Sequence, residues 1–161
     1  MTAKAKDVTA PLPASKQRLR VWIRMLRATR RVEAALRERL RAEFGETLPR
    51  FDVLAALDKS ETGISLTQLS RMLMVSNGNV TGLIERLVNE GYVTRLAVAG
   101  DRRTTLVRLT GAGTRHFQTM ARAHEAWVAE LLSMLDDAEA AHLIEIFRTF
   151  PKLTATPETS S

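Results

Sequence analysis

The sequence predicts a mainly α fold with one small β-hairpin, and three observations carry that reading. Residues 16–44 repeat apolar side chains at the 3.6-residue period of a helix. Two shorter helical patterns, each opened by a capping serine, then follow one another across a gap of about three residues. Finally "YVTRLAV" and "TTLVRLT" alternate as strands do on either side of a glycine-bearing turn. Helix, turn, helix, hairpin is the order of a winged helix-turn-helix, here set between longer helices suited to dimerisation at its N- and C-terminal sides.

Each element has a local cause. The first helix, Lys16 to about Phe44, puts Trp22, Met25, Leu26, Val32, Leu36, Leu40 and Phe44 on one face and stops at Gly45. A second, 49–57, starts on Pro49 and carries Phe51, Val53, Leu54 and Leu57. After the turn "KSETG", Ser65 and Gln68 have the spacing of a capping box and predict a third helix. Ser76 caps a fourth, whose Val80, Leu83, Ile84 and Leu87 face inward and which ends at Gly91. Beyond the hairpin, a helix from Thr110 lines up Phe117, Met120, Ala121, His124, Trp127, Val128, Leu131 and Leu135, and "DAEAAHLIEIFRTF" forms a last one before Pro151.

The organisation expected is a helical dimerisation region from 16–45 and 111–150, a winged helix-turn-helix over 46–110, and loose polar tails at 1–15 and 151–161. The terminal apolar stripes exceed what a small winged module can cover, which calls for a second subunit.

Composition narrows the function. There are 24 Lys and Arg against 18 Asp and Glu, a net charge of +6 that favours anionic partners such as nucleic acid. The chain has no cysteine, which excludes thiolate metal sites, thiol catalysis and disulfides. Its three histidines have no metal-ligand spacing, so neither a metal nor a cofactor is expected. No activated nucleophile or phosphate-binding glycine loop appears, so the chain does not read as an enzyme. No signal-like or membrane-length apolar run is present, and the expectation is a cytoplasmic protein without a membrane partner.

"VTGLIERLVNEGYVTR" and "DRRTTLVRLT" resemble the recognition helix and wing of the MarR family of bacterial transcription regulators, and the similarity extends over roughly 20–150. The resemblance implies a homodimer whose terminal helices interlock, two winged modules on palindromic double-stranded DNA, and a small-molecule pocket between the two regions.

On the recognition helix, Gly78, Thr81, Gly82, Glu85 and Asn89 lie opposite the apolar stripe, with Asn79 and Arg86 at its flanks. Two outward glycines cost about 1 kcal/mol each relative to alanine, which fits either close approach of backbone to DNA or simple surface tolerance. Where the family often has a basic residue, this chain has Gly82. The candidate DNA contacts are Ser76, Asn77, Asn79, Thr81 and Arg86, with Ser65 and Thr67 from the preceding helix. Arg86 has a competing role as an i,i+4 partner of Glu90. In the wing, Asp101 is placed to orient Arg103 toward a minor groove, with Arg102 near the backbone.

Positive charge is concentrated elsewhere. Residues 16–43 hold ten basic side chains against three acids, net +7, whereas 60–110 carry only +2 and 111–150 carry −3. Arg20, Arg24, Arg27 and Arg31 lie opposite the apolar stripe and read as a solvated face. Arg30, Arg37 and Arg41 flank the stripe, and Thr29 and Glu33 interrupt it. With Trp22, Met25, Phe51, Phe117, Met120 and His124, the residues Thr29, Arg30, Glu33 and Arg37 form the candidate effector set, although an aromatic and Met stripe is more often core. The effector expected is an anionic aromatic acid or its acyl-CoA thioester, a class to which part of the family responds. The function expected is a ligand-released repressor of aromatic-compound catabolism genes. The rival readings are a sequence-independent architectural DNA binder and a winged module for protein assembly.

Overall fold

A computed structural model describes residues 13–98 and 101–150, with side chains described for 13–97 and 105–150. Its elements are α1 (Ala14–Phe44), α2 (Leu48–Asp58), β1 (Ile64–Ser65), α3 (Leu66–Leu73), α4 (Asn77–Asn89), β2 (Val93–Val98), β3 (Asp101–Leu109), α5 (Gly111–Leu131) and α6 (Asp137–Arg148). The winged helix-turn-helix order is present, and among the described residues no helix is long and apolar enough to cross a membrane.

The core is built around α2. Phe51, Val53, Leu54, Ala56 and Leu57 are all buried there, and Leu69 of α3, Val80, Ile84 and Leu87 of α4, Val93 and Val107 of the sheet, and Met120 of α5 close around them. Burial of this kind contributes about 1.5–3 kcal/mol per large apolar side chain, which is why α2 forms despite its short length. α1 ends as predicted on Gly45, whose φ of 67° suits a left-handed cap.

Four details differ from the sequence reading. A third strand, β1, pairs antiparallel with β3 (Ile64↔Val107, Ser65↔Leu106), making a sheet of order β1-β3-β2. Two residues are too few to show an alternating pattern; the local signal is Gly63, with φ 93°, where an added Cβ would lie 3.1 Å from the Val107 carbonyl. α1 starts at Ala14, just after Pro13, inside the predicted tail. α5 ends at Leu131, so Leu135 falls in the turn before α6. Leu83 of α4 is only half-buried, because it borders the groove beside α4 while Val80, Ile84 and Leu87 turn into the core.

The terminal helices are unevenly supported. The C-terminal half of α1 is held by buried Leu36 and Leu40, by a Phe44–Trp127 ring contact at 6.1 Å, and by a two-pronged Arg39–Glu130 pair to α5 at 2.7 and 2.9 Å. Its N-terminal half leaves Leu19, Val21, Trp22 and Ile23 exposed, and α6 buries none of its residues.

Candidate nucleic-acid interface

The reading head is assembled by helix caps. The Ser65 hydroxyl accepts the Gln68 amide at 3.2 Å, and the Gln68 side chain accepts the Ser65 amide at 3.1 Å, as the capping-box spacing predicted. Ser65 is therefore occupied in starting α3 and half-buried, whereas Thr67 beside it is exposed. α3 ends on Met74, a non-glycine residue at φ 53°, and the chain reaches the α4 cap, Ser76, two residues later. That compact turn sets α3 and α4 against one another.

Ser76, Asn77, Gly78 and Asn79 are all exposed at the start of α4. The Ser76 hydroxyl accepts the Asn79 amide at 3.4 Å, a long contact that leaves the first amides of the helix available to an anion. Thr81 donates its hydroxyl to the Asn77 carbonyl at 2.9 Å, so its oxygen keeps acceptor capacity. Along the same flank Glu85 lies 3.9 Å from Arg95 of β2, tying helix to wing.

An apolar-walled groove of about 470 Å³ runs beside α4, bounded by Pro49, Asp52, Leu73, Val75, Leu83 and Arg86. Gly78 and Gly82 also border it, and a Cβ at either would meet nothing within 4 Å. Packing within the chain therefore does not require glycine at these positions. Asp52 is exposed as a residue, but loss of water around its carboxyl, and then the nearby Glu33, push its proton affinity above the usual carboxylate range. Arg86 lines the groove, and the Glu90 carboxylate accepts hydrogen bonds from Arg50 rather than from the i,i+4 partner that the spacing offers.

The wing is the β2–β3 ladder, in register from Val93↔Leu109 to Ala97↔Thr105 and irregular between Ala97 and Val98. Val107 and Leu109 anchor it in the core. Asp101, Arg102 and Arg103 open β3; their side chains lie outside the described residues.

The candidate effector residues fall into separate places. Trp22 and Met25 border a shallow cleft of about 560 Å³ with Val21 and Phe150. Thr29, Arg30, Glu33 and Arg37 are exposed along α1, and Arg37 shares a second depression with Arg41. Phe51, Phe117 and Met120 are buried, with Phe51 and Phe117 ring centroids 5.5 Å apart, so within one chain these three serve as core. His124 stacks on Phe51, and burial lowers its proton affinity. A further charged cluster, not predicted from the sequence, joins the i,i+4 pair Glu46 and Arg50 to Glu90 and His116 from distant parts of the chain. Its one sequence signal is the i,i+4 spacing of Glu46 and Arg50.

A family model described as MarR family matches residues 44–104, from the end of α1 into the start of β3. BadR of Rhodopseudomonas palustris, named a transcriptional activatory protein, is 30% identical over 149 residues, 89% of this chain and 85% of BadR. PecS of Dickeya dadantii, an HTH-type transcriptional regulator, is 30% identical over 95 residues, 58% of this chain and 57% of PecS. Among solved structures, Bordetella bronchiseptica BpsR, whose DNA binding is regulated by 6-hydroxynicotinic acid, superposes with a TM-score of 0.70 at 26% identity, covering 80% of this chain and 96% of BpsR. With the reading head, the wing and these likenesses together, the chain belongs to the MarR family of DNA-binding transcription regulators.

Proposed function

We propose that this chain is one subunit of a homodimeric repressor that an anionic aromatic acid, or its acyl-CoA thioester, releases from a palindromic operator. The observation that supports the reading is the exposed apolar surface on the first and last helices: Leu19, Trp22 and Ile23 on α1, and Ile144, Phe147 and Phe150 on and just beyond α6. One chain leaves this surface in water, and a second copy related by a two-fold axis is the self-complementary way to cover it. A two-fold axis also places two α4 helices for successive major grooves, about 34 Å apart.

The same dimer would bring the effector set to an interface. Trp22 and Met25 offer an aromatic and a thioether wall, while Thr29, Arg30 and Arg37 offer donors for a carboxylate, all on exposed α1. The further exposed arginines of α1, Arg20, Arg24, Arg27 and Arg31, suit the phosphates of a CoA thioester. BpsR's response to an aromatic carboxylic acid supports this ligand class. A ligand that binds one dimer geometry better than the other would draw α4 and its symmetry mate out of register with the grooves.

BadR's designation as activatory supports a second reading, in which the ligand-bound dimer recruits transcription rather than blocking it. In vitro selection of bound duplexes, repeated with free aromatic acids and with their CoA thioesters, tests both. Ligand-dependent release supports the repressor, ligand-strengthened binding supports the activator, and no response to either class at millimolar concentration contradicts the effector assignment.

A further inference from the structure

We propose that Arg50 is a positioning residue for the recognition helix: it ties the C-terminal end of α4 to the α1–α2 corner and, through Glu46, to α5. The Arg50 guanidinium holds two carboxylates at once. Its Nε donates to Glu46 Oε2 at 2.6 Å and its Nη2 to Glu46 Oε1 at 3.1 Å, while Nη1 donates to Glu90 Oε1 at 2.8 Å and Nη2 also to Glu90 Oε2. A planar five-donor fork can do this; a lysine ammonium cannot.

Glu46, one of two buried polar side chains among the described residues, extends the chain of contacts. Its Oε1 lies 3.0 Å from His116 Nε2 on α5, within hydrogen-bond distance. His116 in turn lies flat on Tyr92, centroids 4.3 Å apart and planes within 3°. Tyr92 follows directly on the end of α4, where its amide donates to the Leu87 carbonyl at 2.9 Å and Gly91 turns at φ 79°. The chain is thus gripped at two points just past the last residue of α4, at the capping Glu90 by Arg50 and at Tyr92, immediately before β2, by His116, and both grips meet at Glu46.

Two grips do what the apolar contacts cannot. Val80, Ile84 and Leu87 set how deep α4 sits, but apolar attraction has no direction. The exposed residues at the start of α4 lie a whole helix away, about 20 Å for its length. A tilt of about 10° at the gripped end moves them by roughly 3 Å, more than hydrogen bonds to base edges tolerate. The buried Arg50–Glu46 pair and the partly exposed Glu90 contribute little net stability against apolar or uncharged replacements, so orientation is the contribution that fits this network.

This inference rests on the reading that the start of α4 contacts bases. The decisive variant is Glu90→Gln, which leaves the Arg50–Glu46 pair whole. Affinity would be measured for an operator selected in vitro and for a scrambled duplex, alongside the thermal midpoint. Removing one negative charge by itself strengthens binding to any duplex. The positioning role predicts the opposite for the operator: about a five- to tenfold loss, with scrambled DNA unchanged or bound slightly tighter and the midpoint within about 2 °C. Arg50→Lys should restore part of what Arg50→Met loses. Unchanged operator affinity, equal loss on both duplexes, or a loss that follows a fallen midpoint would overturn the proposal. Asn79→Ala separates the two levels: if it weakens operator binding and Glu90→Gln does not, the positioning role alone fails. If neither weakens it, the reading of α4 fails and the inference with it.

Discussion

His124 lies against Phe51 with ring centroids 4.5 Å apart and planes 21° from parallel, joining α5 to the central helix α2. Burial disfavours the charged imidazole there, so its proton affinity falls below the ordinary value, near pKa 6.5. A folded-state value below the unfolded one means that the unfolded chain binds the proton first. The stabilisation is therefore complete above about pH 6.5 and is lost as pH falls from there through the folded value. Urea titrations from pH 7.5 to 5 should show stability declining in the parent chain and a shallower decline in His124→Phe. Identical slopes would contradict the burial account.

Glycines at two positions should behave in opposite ways. A Cβ on Gly113 would sit 2.0 Å from the Tyr92 carbonyl oxygen, backbone that cannot move without breaking the Thr110–Tyr92 bond at the start of α5. Gly113→Ala should cost about 2–4 kcal/mol of unfolding free energy, measured by urea denaturation. Gly82→Ala meets open space within a helix and should stabilise the fold by about 0.5–1 kcal/mol. If close approach to DNA is the reason for Gly82, the same variant should bind operator more weakly despite its added stability. Unchanged affinity would leave that glycine without a functional explanation.

Local chemistry decides how much of this was legible in the sequence. Ser65, Gln68 and Ser76 announce their helices because a cap needs only residues three apart. Val107 and Leu109 announce the wing strand by alternation, whereas β1 has too few residues to alternate at all. The Arg86–Glu90 spacing suggested a pair that the fold replaces with Arg50, forty positions from Glu90, because charge partners are chosen by tertiary proximity. The effector set was legible only as a list of side-chain types. Trp22 and Arg37 share one helix with Leu40, yet Phe51 and Met120 belong to the closed core, and no spacing rule distinguishes a wall of a pocket from a wall of the core.

The exposed apolar surface of α1 and α6 makes a prediction about assembly. Trp22→Asp and Phe147→Asp each place a charge on surface that is already exposed in one subunit, Trp22 at 54% and Phe147 at 50%. Neither should lower the thermal stability of the winged module, but both should shift sedimentation from dimer to monomer and weaken operator binding by about tenfold or more, since two linked half-sites bind with avidity. A variant that stays dimeric would remove this surface from the interface.

For the wing, Arg103→Ala should cost about 1–3 kcal/mol of operator binding, read by titration at fixed salt, with dimerisation and folding unchanged. Full affinity in this variant would exclude Arg103 from the contact.

The central claim, that this chain reads a two-fold operator rather than coating DNA, is tested most directly by selecting duplexes from a random pool at about 0.15 M salt. The account predicts enrichment of one palindromic sequence, with half-sites centred about 10 bp or a multiple of that apart. No enrichment, with equal affinity for selected and random duplexes and a steep salt dependence, would contradict it.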